Sequence, residues 1–262
     1  MGHADAFAAA LTASGLRHFT RVDHRTATGS TNEDAQHLLG EPSASGLVIV
    51  ADEQTAGKGR RGRRWVAPPR SGLLFTAILP LPLAAADAWA VPFWTGLCVA
   101  TALRQWKIQA SLQWPNDLLV DGRKICGILC VSRIVGEQAS VGCGVGLNVH
   151  RPETRPDIDE IVPPPIFVDD VTVAGDDARA ELLVLILREF ESQLASLHEP
   201  QAIAREWEDA AGLPGARYRL RFDDESTLEG EAQRLSSTGA LIVRADGKEH
   251  TIDLAAEVRA LR

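Results

Sequence analysis

The chain has 262 residues, a formal net charge of -8 at pH 7, 45% hydrophobic residues and 24% charged residues. This composition is typical of a folded globular protein and excludes a disordered one. Because the chain as a whole is acidic, we expect no broad surface for nucleic acid and no DNA partner.

The first two thirds of the chain predict an α+β fold around a mixed β-sheet. Helices are predicted at residues 3–14, 31–39 and 88–106. Buried strands are predicted at residues 47–51, 73–79, 118–120, 125–132 and 140–148. Asp121 and Gly122 are typical of a tight hairpin turn between two of these strands. Consecutive hairpins favour an antiparallel or mixed sheet over a doubly wound parallel one.

The last third of the chain changes character after two further helices. The helices are predicted at 178–197 and 200–211, and a long proline-rich and acidic loop is predicted before them at 151–170. Short alternating strands are then predicted at 218–222, 227–235, 240–245 and 250–253. We therefore expect an α+β domain over 1–212 and a small β-barrel over 213–262.

Neither the apolar segments nor the cysteines indicate a membrane span or a metal cluster. The longest apolar segment is interrupted by Asp87 and Pro92, and no basic segment precedes an apolar run at the N-terminus. The four cysteines show no CxxC spacing, so we expect buried, reduced thiols. These features predict a cytoplasmic protein with no membrane partner.

One loop concentrates positive charge in this acidic chain. The segment TAGKGRRGRRW, residues 55–65, carries five cations among three glycines. It does not fit the GxxxxGK[ST] pattern of a Walker phosphate loop. From this stretch alone a solvated charged loop, a nucleic-acid patch with Trp65 as a stacking residue, and a small-molecule phosphate site all remain open.

Three other stretches combine polar residues or glycines with predicted strands and helices. In QWPND, residues 113–117, polar side chains open a strand and need partners. Lys124 lies at the start of the next apolar strand and could point to a ligand or to the sheet edge. Alternating glycines in GCGVGLN, residues 142–148, indicate that a ligand or a helix approaches the backbone closely. GSTN, residues 29–32, favours helix capping by its hydroxyls over ligand binding.

Five motifs in this order resemble those of the biotin protein ligases. They are GSTN at 29–32, EQTAGKGRRGRRW at 53–65, WPND at 114–117, GRKICGIL at 122–129 and GVGLNV at 144–149. The resemblance implies a catalytic domain similar to the class II aminoacyl-tRNA synthetase core, followed by an SH3-like barrel. It also implies the ligase-only type, because the chain begins too late to hold an N-terminal DNA-binding domain.

The resemblance implies a two-step reaction with ATP, Mg2+ and biotin. Biotin is activated to biotinyl-5'-AMP, and a lysine of a biotin carboxyl carrier protein then takes the acyl group. A cationic loop suits this chemistry, because two anionic groups must approach each other and charge develops at phosphate. We expect the enzyme to be a monomer or a homodimer.

The resemblance also assigns roles to residues by position. Lys124 and Arg60 would be catalytic, and Asp117 would be on the metal side. The implied biotin-binding residues are Ser30, Thr31, Gln54, Gly57, Lys58, Arg60, Lys124 and Gly127. The implied ATP- or adenylate-binding residues are Arg60, Arg63, Trp65, Asn116, Asp117, Lys124 and Asn148.

Two departures from the family pattern keep other functions open. Lys58 stands where the family usually has arginine, and Gln113 stands where it usually has lysine, which puts the affinity for ATP in question. One alternative is a lipoate or octanoate ligase, which shares the fold and the chemistry. The other is a biotin-binding protein with weakened adenylation.

Overall fold

The computed structural model describes residues 3–153, 163–253 and 255–261. Part of the predicted loop 151–170 therefore lies outside the described residues. The helices are α1 His3–Ser14, α2 Thr31–Leu38, α3 Val91–Gln105, α4 Ala178–Gln193 and α5 Pro200–Ala210. The strands of the first sheet are β1 Arg21–Arg25, β2 Leu47–Ala51, β3 Gly72–Ile78, β4 Leu83–Ala84, β5 Ser111–Gln113, β6 Asp117–Val120, β7 Arg123–Val135 and β8 Gln138–Asn148. The strands of the second sheet are β9 Arg217–Arg221, β10 Thr227–Leu235, β11 Leu241–Ala245, β12 Lys248–Ile252 and β13 Glu257–Leu261.

The first sheet is mixed, as predicted. Its strand order is β1-β2-β3-β8-β7-β6-β5, with β4 paired to β8. Only β1 and β2 run parallel, and α2 provides the crossover that a parallel pair needs. The remaining pairs are antiparallel. The sheet therefore has one βαβ unit at its β1 edge and hairpins elsewhere.

Strand β2 reads as a continuous apolar run because both of its faces are covered. Val48 and Val50 belong to the large core on one face, and Ile49 belongs to a smaller cluster with Ala35 and Leu39 of the α2 region on the other. The larger core is completed by a helical layer in which α3 packs against α4 and α5. The face that carries α2 is only partly covered by helix, which leaves room for a cleft.

The core helix is apolar enough to resemble a membrane span by composition. The stretch Ala85–Gln105 is long and apolar enough to cross a bilayer, but most of it is buried inside the protein against α4, α5 and β7. Its first part, Ala85–Ala90, is a 3-10 helix, so the predicted helix 88–106 begins later as an α-helix, at Val91. An apolar helix that is buried against other elements is typical of the core of a globular protein.

The second sheet is the C-terminal domain. Its five strands are antiparallel in the order β12-β11-β10-β9-β13, consistent with the predicted SH3-like fold. Sequence reasoning missed β1, β4, β5 and β13. Strands β1 and β13 lie at sheet edges, are partly exposed and are rich in charged residues, so they lack the apolar run that marks the buried strands. The domain boundary after residue 212 stays a prediction.

The predicted free thiols are confirmed. Cys98, Cys126 and Cys143 are buried, Cys130 is half-buried, and all four are free. Burial raises the pKa of the Cys126 thiol far above its usual range. These side chains therefore act as small apolar residues, Cys98 in α3 and the other three in β7 and β8.

Candidate active site

A cleft of about 590 Å³ opens on the face of the sheet that carries α2. Its walls come from the start of α2, the loop after β2, strands β7 and β8, and the segments 163–167 and 255–258. Its size is that of a small-molecule site. The structure brings the following predicted residues together along its wall: Ser30, Thr31, Gln54, Lys58, Arg60, Arg63, Trp65, Asn116, Asp117, Lys124, Gly127 and Asn148.

Gly57 is the one predicted site residue that does not line the cleft. It is buried behind the loop, where its carbonyl accepts a hydrogen bond from the backbone N–H of Trp65 at 2.9 Å. A side chain at this position would collide with the Trp65 carbonyl oxygen. Gly57 therefore shapes the loop from behind, and its contribution to the cleft is indirect.

The cationic loop is a short hairpin. Lys58 and Arg64 form an antiparallel bridge, and the N–H of Gly59 donates to the carbonyl of Arg63 at 2.7 Å. The tip turns through Arg61, whose φ of 59° is in the left-handed region. The hairpin projects successive cations in different directions.

Most cations of this hairpin already have partners. Lys58 pairs with Glu33 of α2, with 2.5 Å between Nζ and Oε1. Arg61 pairs with Asp223, and the guanidinium of Arg63 donates to the carbonyl of Ala256. Both of these partners belong to the C-terminal domain. The hairpin therefore connects the two sheets across the mouth of the cleft.

Arg60 differs from its neighbours. Its guanidinium has neither a hydrogen bond nor an ion pair within the part of the chain that the structure describes. Burial lowers its pKa from the usual range of an arginine, with Asp117 acting in the opposite direction. A half-buried cation with no anion at the wall of a cleft is a site for an anionic group of a ligand.

Lys124 is paired with Asp117 and held firmly through its backbone. Its Nζ lies 2.6 Å from Oδ1 of Asp117. Its backbone N–H donates to the Pro164 carbonyl at 2.8 Å, and its carbonyl accepts from the N–H of Ile166 at 2.9 Å and from the amide of Asn148 at 3.1 Å. The main chain of Lys124 is thus fixed while its ammonium group is free to exchange one anion for another.

One end of the cleft is lined by the neutral polar residues Ser30, Thr31, Asn32 and Gln54, and we call it the closed end. The side-chain oxygen of Gln54 accepts the backbone N–H of Thr31 at 2.8 Å and lies 3.1 Å from the Thr31 hydroxyl. The Thr31 hydroxyl lies 2.9 Å from the hydroxyl of Thr76, which lies 2.8 Å from the amide oxygen of Asn32. The predicted capping role of Ser30 is wrong, since Ser30 is the N-cap of α2 but its side chain makes no capping bond. Ser30 is one of the residues that line the cleft.

The strand glycines are covered by side chains of the protein itself. Gly127 and Gly146 face each other across β7 and β8, and the indole of Trp65 lies on both. A Cβ would approach that indole to 2.8 Å at Gly127 and 2.6 Å at Gly146. The space at Gly144 is filled by the amide of Asn32. Of the two interpretations of the glycine run, approach of a helix fits Gly144, because Asn32 belongs to α2, and the indole of Trp65 occupies the space at Gly146. Approach of a ligand to these glycines stays a prediction.

The QWPND segment, residues 113–117, connects the wall of the cleft to strand β7 and to the C-terminal domain. The amide of Asn116 donates to the Ile128 carbonyl at 2.6 Å, so this amide nitrogen is committed to strand β7. Gln113 donates to the carbonyl of Val258 at 3.2 Å, and the indole of Trp114 donates to the carbonyl of Gly239 at 3.2 Å. The glutamine that departs from the family pattern thus connects the first sheet to β13.

Sequence reasoning did not find Thr76 or the contribution of residues 163–167. Thr76 could have been noticed because it is the one polar side chain in the otherwise apolar strand GLLFTAI. Residues 163–167 give no comparable signal, since their effect on Lys124 goes through backbone carbonyl and N–H groups.

Comparison with known proteins assigns the chain that carries this cleft to a family. The sequence model of the Biotin/lipoate A/B protein ligase family matches residues 22–148. The chain is 30% identical over 243 residues to the biotin--[acetyl-CoA-carboxylase] ligase of Mycobacterium tuberculosis. This alignment covers 87% of this chain and 85% of that protein. It is 31% identical over 246 residues to the protein of the same name from Paracoccus denitrificans, covering 88% and 97%.

A solved structure agrees with the fold. The biotin protein ligase from Aquifex aeolicus in complex with biotin and ATP matches with a TM-score of 0.73 and 24% identity, over 93% of this chain and 100% of that one. At this identity the likeness concerns the fold, which includes both sheets.

Proposed function

The chain belongs to the biotin protein ligase family, and on this premise we propose that its cleft activates biotin with ATP to biotinyl-5'-AMP and transfers the biotinyl group to a lysine of a biotin carboxyl carrier protein. The observation that carries this function is the pair of cations at one end of the cleft, Arg60 without an anion and Lys124 on Asp117, opposite a neutral polar end. The ligand that fits has an anionic end and a neutral polar end. Biotin has this form, with a carboxylate at one end and a cyclic urea at the other.

In the first step a carboxylate oxygen of biotin attacks the α-phosphorus of ATP. A new O–P bond forms, the P–O bond to pyrophosphate breaks, and pyrophosphate leaves with the electron pair. Arg60 and Lys124 oppose the repulsion between the two anions and stabilise the charge on the α-phosphate. Lys124 can turn from Asp117 to these oxygens because only its side chain has to move.

In the second step the amine of the acceptor lysine attacks the acyl carbonyl of the adenylate. The C–N bond forms, the C–O bond to AMP breaks, AMP leaves with the electron pair, and the amine gives up a proton to water. Lys124 polarises the carbonyl, and the hairpin with Trp65 shields the mixed anhydride from water. Ser30 and the amide nitrogen of Gln54 hold the urea during both steps.

The residues present fit a magnesium ion bound largely through the substrate. In the described residues no group of three or more His, Cys, Asp or Glu side chains could hold a metal. Mg2+ usually needs only one or two carboxylates beside phosphate oxygens and water. Asp117 lines the cleft and would supply that carboxylate, and the ion would neutralise charge on the ATP phosphates.

The same closed end argues against the lipoate or octanoate alternative, because an alkyl or dithiolane end would offer no partner to the Ser30 hydroxyl and the Gln54 amide nitrogen, which bond to no other group in the described part of the chain. The binding-protein alternative also loses support, since Gln113 lines the cleft and its amide nitrogen is bonded to the Val258 carbonyl, which gives this residue a structural role. We expect the enzyme to act in the cytoplasm, and a monomer or a homodimer remains our prediction for its assembly.

Intact-protein mass spectrometry of a carboxyl carrier domain tests this function. The enzyme, ATP, Mg2+ and biotin should add one biotinyl group to the domain, and a carrier variant with arginine in place of the acceptor lysine should stay unmodified. Addition of lipoyl or octanoyl groups, with no reaction of biotin, would assign the chain to the alternative activity. No modification with any of the three acids would contradict the proposal.

A further inference from the structure

Asp170 joins three separate segments of the chain through its carboxylate. Its Oδ1 accepts a hydrogen bond from Nε of Arg151 at 2.6 Å and lies 2.5 Å from a terminal guanidinium nitrogen of the same residue. Its Oδ2 accepts the backbone N–H of Phe167 at 3.0 Å and lies 3.9 Å from the guanidinium of Arg123. The Asp170 side chain is 15% exposed, and a carboxylate that accepts from several donors at once holds them in one geometry.

The segment that Asp170 holds, residues 163–167, cannot form a regular β-ladder, and we call it the proline segment. Its first three residues are prolines, which offer no backbone N–H. The first N–H that follows belongs to Ile166 and donates to the Lys124 carbonyl at 2.9 Å. The next belongs to Phe167 and donates to Asp170. With so few backbone donors, the proline segment depends on side chains to fix its position.

The proline segment lies against Lys124 at a place where the sheet supports this residue weakly. The pairing of β7 with β8 ends at Cys126, and the pairing of β7 with β6 has a register shift next to Lys124. The proline segment takes the place of β8 here, since the Pro164 carbonyl accepts the N–H of Lys124 at 2.8 Å. The guanidinium of Arg123 adds a bond to the Pro165 carbonyl at 2.6 Å. The main chain of Lys124 is therefore only as well fixed as the proline segment.

We propose that Asp170 is a positioning residue for Lys124 and acts through the proline segment. By fixing this segment, the carboxylate of Asp170 fixes the main chain of Lys124 and hence the positions that the ammonium group can reach when it leaves Asp117 for a ligand. A misplacement of about 1 Å between reacting groups can cost about a hundredfold in rate. This inference rests on the proposed function, in which Lys124 stabilises the charge on the α-phosphate.

Steady-state exchange of labelled pyrophosphate into ATP tests this role. Asp170→Asn keeps the size of the side chain but leaves one acceptor oxygen, so either Arg151 or the Phe167 N–H loses its partner. We expect kcat to fall about tenfold and KM for biotin to stay within about twofold of wild type, because the closed end is untouched. Asp169→Asn is the matched control. Asp169 bonds to His150 and to the N–H of Arg151 but, among the described residues, its side chain bonds to no group of the proline segment.

A readout specific to Lys124 separates positioning from a general structural defect. In a Lys124→Met background the ammonium group is absent, so adding Asp170→Asn should change the remaining kcat by less than about twofold. A defect that acts independently of Lys124 would lower kcat about tenfold again. Hydrogen exchange at the backbone N–H groups of Lys124 and Ile166 should also become about tenfold faster in Asp170→Asn, and should keep the wild-type rate in Asp169→Asn.

A second variant covers the case in which Asp170→Asn does not fold. Arg123→Met removes the bond to the Pro165 carbonyl from a partly exposed side chain and leaves the pair of Asp170 and Arg151 intact. It should lower kcat about threefold and make exchange faster at the same two N–H groups. In the Lys124→Met background it should change kcat by less than about twofold. Thermal unfolding of each variant verifies that it is folded.

The outcomes separate this inference from the function beneath it. Wild-type enzyme that exchanges with biotin, while Asp170→Asn and Arg123→Met keep the kcat of the Asp169→Asn control, overturns the role of Asp170 and leaves the function standing. An equal further loss in the Lys124→Met background overturns it as well, and so does unchanged hydrogen exchange in both variants. Wild-type enzyme that does not exchange pyrophosphate with biotin overturns the proposed function, and this inference with it.

Discussion

The two ends of the cleft are built from different kinds of interaction. At the closed end, Gln54, Thr31 and Thr76 are neutral, buried or half-buried, and bonded to one another before any ligand arrives. We call the end with Arg60 and Lys124 the open end. There Lys124 is held by an ion pair that a ligand can replace, and the guanidinium of Arg60 has no partner among the described residues. Neutral groups that are held in place can distinguish one ligand head group from another. Charged side chains whose ion pairs a ligand can replace can instead bind each anion in turn as the reaction proceeds.

The largest effect that this comparison predicts is at Lys124. Lys124→Met should reduce kcat for pyrophosphate exchange about a hundred- to a thousandfold, because a charged group next to the reacting phosphate is lost. The KM for biotin should change less, since the urea end is untouched. Lys248→Met is the control for charge, as Lys248 is exposed on β12. A loss of similar size in both variants would contradict a local role for Lys124.

Removing Arg60 should separate formation of the adenylate from its retention. Arg60→Gly should still form biotinyl-5'-AMP but release it about tenfold faster or more, because the guanidinium makes a charge-assisted contact with the intermediate. Release is measured by filtration followed by mass spectrometry of the filtrate. Arg205→Ala, on the exposed side of α5, provides the comparison. Retention equal to wild type would remove Arg60 from the mechanism.

The link from Gln113 to the C-terminal domain should have a smaller effect, limited to the nucleotide. Gln113→Leu removes the bond to Val258 next to the cleft, so KM for ATP should rise about two- to tenfold while KM for biotin stays unchanged. Gln201→Leu removes a bond of the same kind, from α5 to the Ser237 carbonyl, at a distance from the cleft. If both variants alter KM for ATP equally, the effect belongs to the domain contact in general.

The smallest effect concerns a buried group outside the cleft. Burial raises the pKa of Tyr218 to about 12 in the C-terminal domain, against about 10 in an unfolded chain. The folded state prefers the neutral phenol, so its contribution to stability is complete below about pH 10 and is lost as the pH rises towards 12. Tyr218→Phe should remove this part of the alkaline loss in chemical unfolding. Identical pH profiles for the two proteins would show that Tyr218 does not contribute.

The motifs predicted residues at both ends of the cleft: Ser30, Thr31 and Gln54 at the closed end, and charged residues at the open end. Lys124, Asp117 and Arg60 lie in stretches whose charge is conspicuous against an apolar or acidic background. The sheet was predictable where both faces are buried, as in β2 and β3, and was missed at the exposed edge strands β1 and β13. Periodicity reports burial, and an edge strand is buried on too few sides to show it.

Contacts between distant segments were beyond the reach of the sequence. The threonine at position 76 is 45 residues from Thr31, and the pairing of β3 with β8 beside α2 brings its hydroxyl to that of Thr31, which lines the cleft. The main chain of Lys124 is held by the carbonyl of Pro164 and the N–H of Ile166. Every residue type offers a backbone carbonyl, and every type other than proline offers an N–H, so the sequence gives no signal for these bonds. The stretch GSTN favoured helix capping because that is the usual role of serine at a helix start, but Ser30 makes no capping bond and lines the cleft, where the family resemblance had placed it.

Exchange of labelled pyrophosphate into ATP, with biotin, desthiobiotin, lipoate and octanoate compared under identical conditions, tests the division of the cleft most directly. All four acids offer a carboxylate to Arg60 and Lys124, but only the first two offer urea N–H groups to the closed end. The structure predicts exchange with biotin and desthiobiotin and little with lipoate or octanoate. Equal exchange with all four acids would contradict it, because the closed end would then select nothing.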